Sequence, residues 1–121
     1  MPKTTLATNM DTEDTFVRAA REGKLVRLTE EDGQQRTVQP LILYVSSKGK
    51  RLFHAFQVSG YSSGGQNGWK NIETERFTSA EVLEEAFVPP EKYNPWNATQ
   101  FEHVVYAAPT RDGRVREPDA E

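Results

Sequence analysis

The sequence predicts a small, mostly β protein with one short helix near its N-terminal end. Three observations carry that expectation. Phe16, Val17 and Ala20 recur at helical spacing and are followed by Gly23, a residue suited to end a helix in a left-handed turn. From Lys24 onward the pattern changes to short runs separated by turn formers such as Asp32-Gly33 and Ser46-Ser47-Lys48-Gly49. Leu41-Ile42-Leu43-Tyr44-Val45 is a continuous apolar run short enough to be a core strand. At 121 residues the chain fits one domain with one compact core.

Residues 1–10 are small and polar and are expected to be disordered. Asp11 is placed to cap a helix over residues 12–22, with Asp14 in its first turn, where the helix dipole favours negative charge. Residues 24–29 read as a strand and Glu30-Glu31-Asp32-Gly33 as a hairpin turn. Residues 34–45 return, with Pro40 marking an edge or a bulge. Residues 50–58 alternate, with Leu52, His54, Phe56 and Val58 on one face and Arg51, Phe53, Ala55 and Gln57 on the other. The stretch 60–68 has the most flexible composition in the chain, and residues 69–77 resume as a strand.

Two signals meet at residues 78–85. Thr78 followed by Glu81 is a capping box, which favours a helix. Val88-Pro89-Pro90 ends whatever precedes it. Tyr93, Pro95 and Trp96 form a rigid aromatic loop that reads as a clamp for the C-terminal extension, and residues 101–107 supply one further strand. The stretch 109–121 is polar, without apolar period, and is expected to be a disordered tail. The globular domain is thus assigned to residues 11–108.

Composition excludes several function classes. There is no cysteine, so disulfides, thiolate metal sites and cysteine nucleophiles are absent. Lys and Arg total 15 against 18 Asp and Glu, so any contact with nucleic acid needs a local basic patch. No run approaches the roughly 20 apolar residues of a membrane span, and no secretory signal is seen, so a cytoplasmic location is expected. No metal-ligand spacing is found, and the stretch 60–68 lacks the Gly-Lys-Ser/Thr ending of a phosphate-binding loop, so no cofactor is expected. His54 and His103 sit in strands among apolar neighbours and read as packed or surface imidazoles. No nucleophile, base and orienting group can be assembled, which points away from an enzyme.

Several segments, taken in order, resemble the WYL domain, a ligand-sensing module attached to many bacterial transcription regulators. Ala19-Ala20-Arg21-Glu22-Gly23-Lys24-Leu25-Val26-Arg27-Leu28 is similar to the family's first helix and strand. Asp32-Gly33-Gln34-Gln35-Arg36-Thr37-Val38-Gln39-Pro40-Leu41 resembles its D-G-x-x-R-x-V-x-P-L hairpin. The closing stretch is matched by residues 70–77, then Ala80-Glu81-Val82-Leu83 and Phe87-Val88-Pro89-Pro90. The resemblance covers residues 16–90 and implies an SH3-like or Sm-like β-barrel, with a strand rather than a helix over residues 78–85. The family's naming triplet is replaced by Arg51-Leu52-Phe53, and its middle closing arginine by Glu73. About fifteen residues precede the match, so a stand-alone module without a helix-turn-helix domain is expected.

Arg51, Trp69, Lys70 and Arg76 combine cations with aromatic rings, the set that a nucleotide or single-stranded nucleic acid needs, and are taken as the candidate ligand-binding residues. Lys70 and Arg76, six residues apart in one expected strand, would share a face with Ile72 and Thr74. The reading is a non-enzymatic regulatory module that senses a nucleotide or single-stranded nucleic acid. The alternative is a protein-interaction module, a subunit or inhibitor, docking through a strand edge or exposed aromatics such as Trp69 and Trp96.

Overall fold

The computed structural model describes residues 5–60 and 67–119, with helix side chains from residue 11 onward. One helix, α1 (Thr5–Glu22), precedes β1 (Lys24–Glu30), β2 (Gln35–Val45), β3 (Arg51–Gly60) and β4 (Gly68–Glu73). A single 3₁₀ turn, η1 (Thr74–Arg76), leads into β5 (Phe77–Ala86), and β6 (His103–Ala107) follows a long connection. The sheet is antiparallel in the order β4-β3-β2-β1-β5, with β6 paired to β2. The mostly β class with one N-terminal helix is therefore as expected. Residues 61–66 of the glycine-rich stretch lie outside the described residues.

The helix starts six residues before the expected cap at Asp11. Nothing between Lys3 and Glu22 is a glycine or proline, so no local signal stops the helix from extending back. Of the segment expected to be disordered, 5–10 therefore belongs to α1. Thr12, Phe16, Ala19 and Ala20 are buried along one stripe of α1. Gly23, at φ 69°, ends the helix as its composition predicted. Gly33, at φ 90°, closes the β1–β2 turn, where its N–H donates to the Glu30 carbonyl.

Pro40 marks a branch point. The first part of β2, residues 35–38, pairs with β1, and its last part, residues 42–45, pairs with β6. The register against β3 slips between Pro40 and Ile42. A proline has no N–H to give a ladder, so the position where one edge changes partner is where it does least harm.

The expected strand over 69–77 is broken in two. η1 interrupts it after Glu73, and β4 and β5 then run along opposite edges of the sheet. Four strand spacings would set those edges about 19 Å apart in a flat sheet, whereas three 3₁₀ residues advance about 6 Å. The sheet must curl strongly to satisfy the connection. It remains open, since no backbone pairing joins β4 to β5 among the described residues, and a closed barrel is not formed. Residues 78–85 are strand: pairing of β5 along β1 from Glu30↔Phe77 to Lys24↔Ala86 prevails over the local capping signal.

Both faces of the sheet are covered. On one, α1 packs Phe16 and Ala19 against Val26, Leu28, Leu43, Phe53 and Phe77, with Phe16 stacked on Phe53 at 4.0 Å. On the other, residues after β5 bring Tyr93 and Phe101 onto Leu41, Ile42, Tyr44 and Val104. The clamp reading of this segment holds for Tyr93 and Pro95, both buried, and Tyr93 Oη donates to the Ala108 carbonyl at 2.8 Å. The segment 109–119, expected to be disordered, is instead bonded to the fold. The Asp119 N–H donates to the Val104 carbonyl, the Val104 N–H donates to Asp119 Oδ2 at 2.8 Å, and Arg116 donates to the Pro95 carbonyl. Backbone and charge-assisted hydrogen bonds replace the apolar anchors the tail lacks.

Two stability outcomes follow. Leu43→Ala and Phe53→Ala should each destabilise the protein by about 2–5 kcal/mol, whereas the partly exposed Phe56 should cost less on truncation. Urea midpoints of the three variants check this. Ending the chain after Pro109 should lower the melting temperature by about 4 °C or more, as expected when roughly 1 kcal/mol of stability is lost from a domain of this size. Thermal scans of full-length and shortened protein decide it.

Candidate functional site

Strand alternation and the η1 turn distribute the sequence-predicted residues over different parts of the surface. Trp69 lies opposite Phe56 and Asn71 opposite His54, so these project to the face that carries Tyr93 and Phe101. Lys70 lies opposite Ala55 and projects to the helix face. Trp69 and Lys70 are thus on opposite sides of the sheet. The shared face predicted for Lys70 and Arg76 is not formed, because Lys70 is in β4 and Arg76 is in η1.

Two of the predicted cations hold buried carboxylates. Arg51 grips Glu13 of α1 with Nε 2.9 Å from Oε2 and Nη2 2.9 Å from Oε1, a bidentate geometry, and the Thr74 hydroxyl donates to the same Oε2 at 2.9 Å. Arg76 donates to Glu30 Oε1 at 3.0 Å, while Arg36 pairs with Oε2 of that carboxylate. Arg51 and Arg76 accordingly fasten the turn between the edge strands to the rest of the fold. Of the four predicted residues, Trp69 alone borders the cleft described next.

That cleft, of about 240 Å³, lies between β3, β4 and the segment after β5. Its sheet side is formed by His54, Trp69 and Asn71, and its outer rim by Lys92, Asn94, Asn97 and Gln100, with Phe101 alongside. Trp69 is 41% exposed and lies parallel to the His54 ring, with centroids 5.3 Å apart and planes 11° from coplanar. Phe101 meets His54 edge-on at 4.7 Å. Asn71 Oδ1 accepts from the Tyr44 hydroxyl at 3.0 Å and lies 2.9 Å from His54 Nδ1. Burial lowers the His54 pKa below the ordinary histidine value, and the Asn71 bond offsets this in part. His54 is therefore neutral at physiological pH. Burial raises the Tyr44 pKa, which keeps its hydroxyl a donor.

Sequence reasoning missed His54 and Asn71 as partners because the loop between β3 and β4 does not fix which residues face each other. It missed Lys92, Asn94 and Asn97 because a long connection carries no period. Two signals were present: Asn94 and Asn97 beside Pro95 and Trp96 are typical of side-chain-capped turns, and both form them. Among the described residues, no group of three or more acidic or histidine side chains could hold a metal, and no helix is long and apolar enough to cross a membrane.

No family model matches the chain, and no curated protein matches it. The fold is similar to part of a solved structure, Proteasome accessory factor B/C (PafBC) of Arthrobacter aurescens. The TM-score is 0.58 at 20% sequence identity, covering 74% of this chain and 14% of that one. At that identity the likeness concerns the fold alone, and this chain matches a small part of that protein's length.

His54 links the cleft to stability. Its folded pKa lies below the unfolded value of about 6.5, so between the two the unfolded state binds more protons. Stability from this group is complete above about pH 6.5 and is lost as pH falls through the folded value. The depressed carboxyls of Asp112 and Asp119 lose theirs only at lower pH, below the usual carboxylate range. Urea midpoints at about pH 7 and about pH 5 should therefore differ more for the parent than for His54→Phe.

Proposed function

We propose that this chain is a non-enzymatic, WYL-like regulatory module with an SH3-like arrangement of its curled sheet, and that it binds a nucleotide or a short single strand in the Trp69 cleft. The observation that carries the reading is the half-exposed Trp69 indole lying parallel to a buried histidine at the side of an amide-rimmed cleft. An exposed indole is a stacking platform for a base, worth about 1–3 kcal/mol per base. Lys92 on the rim supplies positive charge at the cleft of a chain whose net charge is -3. The fold shared with part of a proteasome accessory factor supports a module that serves a larger assembly.

Trp69 is retained from the sequence reading as a ligand residue, and Lys92 takes the place that Arg51, Lys70 and Arg76 held in it. The second reading, a protein-docking module, is favoured by β4 being an edge strand next to the exposed Trp69.

Fluorescence anisotropy with labelled single-stranded oligonucleotides at low and moderate salt tests both. The parent should bind with salt-sensitive affinity. Trp69→Ala should weaken binding roughly tenfold, the loss of one stacked base, and Lys92→Glu should weaken it and flatten the salt dependence. Lys70→Glu, on the opposite side of the sheet from Trp69, should bind as the parent does. No salt-sensitive binding by the parent would remove the nucleic-acid reading in favour of docking.

A further inference from the structure

Three of the four amides around the cleft share a feature that bears on what it can hold; the fourth, Gln100, makes no side-chain hydrogen bond among the described residues and offers both donor and acceptor. Each of three asparagines spends its carbonyl oxygen on the protein itself. Asn71 Oδ1 has two partners, the Tyr44 hydroxyl and His54 Nδ1. Asn94 Oδ1 accepts from the Trp96 N–H at 3.0 Å, and Asn97 Oδ1 accepts from the Gln100 N–H at 3.3 Å. No hydrogen bond from any of the three amide nitrogens is formed among the described residues. An amide oxygen has two lone pairs, so Asn71, with both engaged, can offer a ligand only its N–H groups, whereas Asn94 and Asn97, with one partner each, keep an acceptor position beside their donors. Lys92, also on the rim, offers only donors.

The histidine supplies the opposite polarity. Asn71 Oδ1 is an acceptor, so the hydrogen between it and His54 must be on Nδ1. A neutral imidazole with Nδ1 protonated carries a bare lone pair on Nε2. Among the described residues, no hydrogen bond occupies Nε2. On its sheet side the cleft therefore sets a donor-only amide, Asn71, next to one ring acceptor, His54 Nε2, beside an indole on which a flat ring can stack.

We propose that the cleft selects a base edge in which an N–H is flanked by carbonyl groups, the imide edge of uracil and thymine, over the amino edge of cytosine. The carbonyl oxygens would accept from the Asn71 N–H groups and the Lys92 ammonium, and the ring N–H would donate to His54 Nε2. Cytosine presents a ring lone pair where His54 presents its own, and an amino group where Asn71, its oxygen fully engaged, can only donate. Both positions are mismatched, and buried polar groups facing like polarity are strongly disfavoured. The inference rests on the nucleotide reading above and goes beyond it in naming the base edge.

Uridine and cytidine 5′-monophosphates separate the two levels, because they share sugar and phosphate and differ at the edge. Binding of each to the full chain near neutral pH is measured by Trp fluorescence and calorimetry. The expected result is uridine monophosphate at least roughly tenfold tighter, the discrimination of one well-placed pair of base contacts. Asn71→Asp keeps the oxygen that serves Tyr44 and His54 and removes the N–H donors. It should bring the ratio to unity or below. Equal binding of both nucleotides by the parent leaves the cleft a nucleotide site and overturns the edge selection. Binding of neither removes the nucleotide reading and the selection with it. Nitrogen NMR of the His54 ring gives a ligand-free readout. Nδ1 protonated and Nε2 bare is required, and the reverse tautomer overturns the proposal.

Discussion

The fold depends on a three-residue turn held by two buried carboxylates. η1 joins strands at opposite edges of the sheet, and that connection alone compels the sheet to curl. Glu13, from the helix, receives the Thr74 hydroxyl, and Glu30, from the end of β1, receives Arg76. The turn is thus fixed at both ends by acids reaching it from different elements. Each acid is in turn neutralised by an arginine from a further strand, Arg51 from β3 for Glu13 and Arg36 from β2 for Glu30. A carboxylate buried without such partners would be strongly destabilising. The two clusters supply geometric definition that the surrounding apolar contacts, being non-directional, do not.

Curling the sheet gives it an inner face for the helix and an outer face that needs its own cover. The branch at Pro40 provides that cover, since it frees one edge of β2 to accept β6 and so draws the chain after β5 across the outer face. Tyr93 and Phe101 then fill the space over Tyr44 and Leu41. The cleft lies where this cover stops short of Trp69. Its sheet side is built from strand positions fixed by ladder hydrogen bonds, which is why the stacked rings of His54 and Trp69 keep a defined relation.

What could be read from the sequence divides along the same line. Strands with a buried face announce themselves through period two, so β1, β2 and β3 were placed within a residue or two. Gly23 and Gly33 were legible because their backbone conformations exclude most other residues. The break at η1 was not legible. Thr74, Glu75 and Arg76 continue an acceptable strand pattern, and only pairing of β5 with β1 makes the interruption necessary. That single miss displaced the candidate site, because it put Lys70 and Arg76 on a face they do not share. The tail was misread for a related reason. Its anchoring is by hydrogen bonds of Arg116 and Asp119, and composition reports apolar content, not hydrogen-bonding geometry.

The outer rim of the cleft is built apart from the helix-side core. The helix-side core, around Phe16, Phe53 and Phe77, shares no side chain with the cleft rim. Lys92, Asn94, Asn97 and Gln100 all come from one irregular segment whose backbone is held by the buried Tyr93 and Pro95 between them and the sheet. Exposed rim positions can change without opening a cavity or breaking a ladder bond, so variation there is inexpensive in folding free energy. In a chain organised in this way the lining of the rim can be altered through a handful of loop substitutions while the architecture is kept, because function is carried by sites placed on folds and not by the folds themselves.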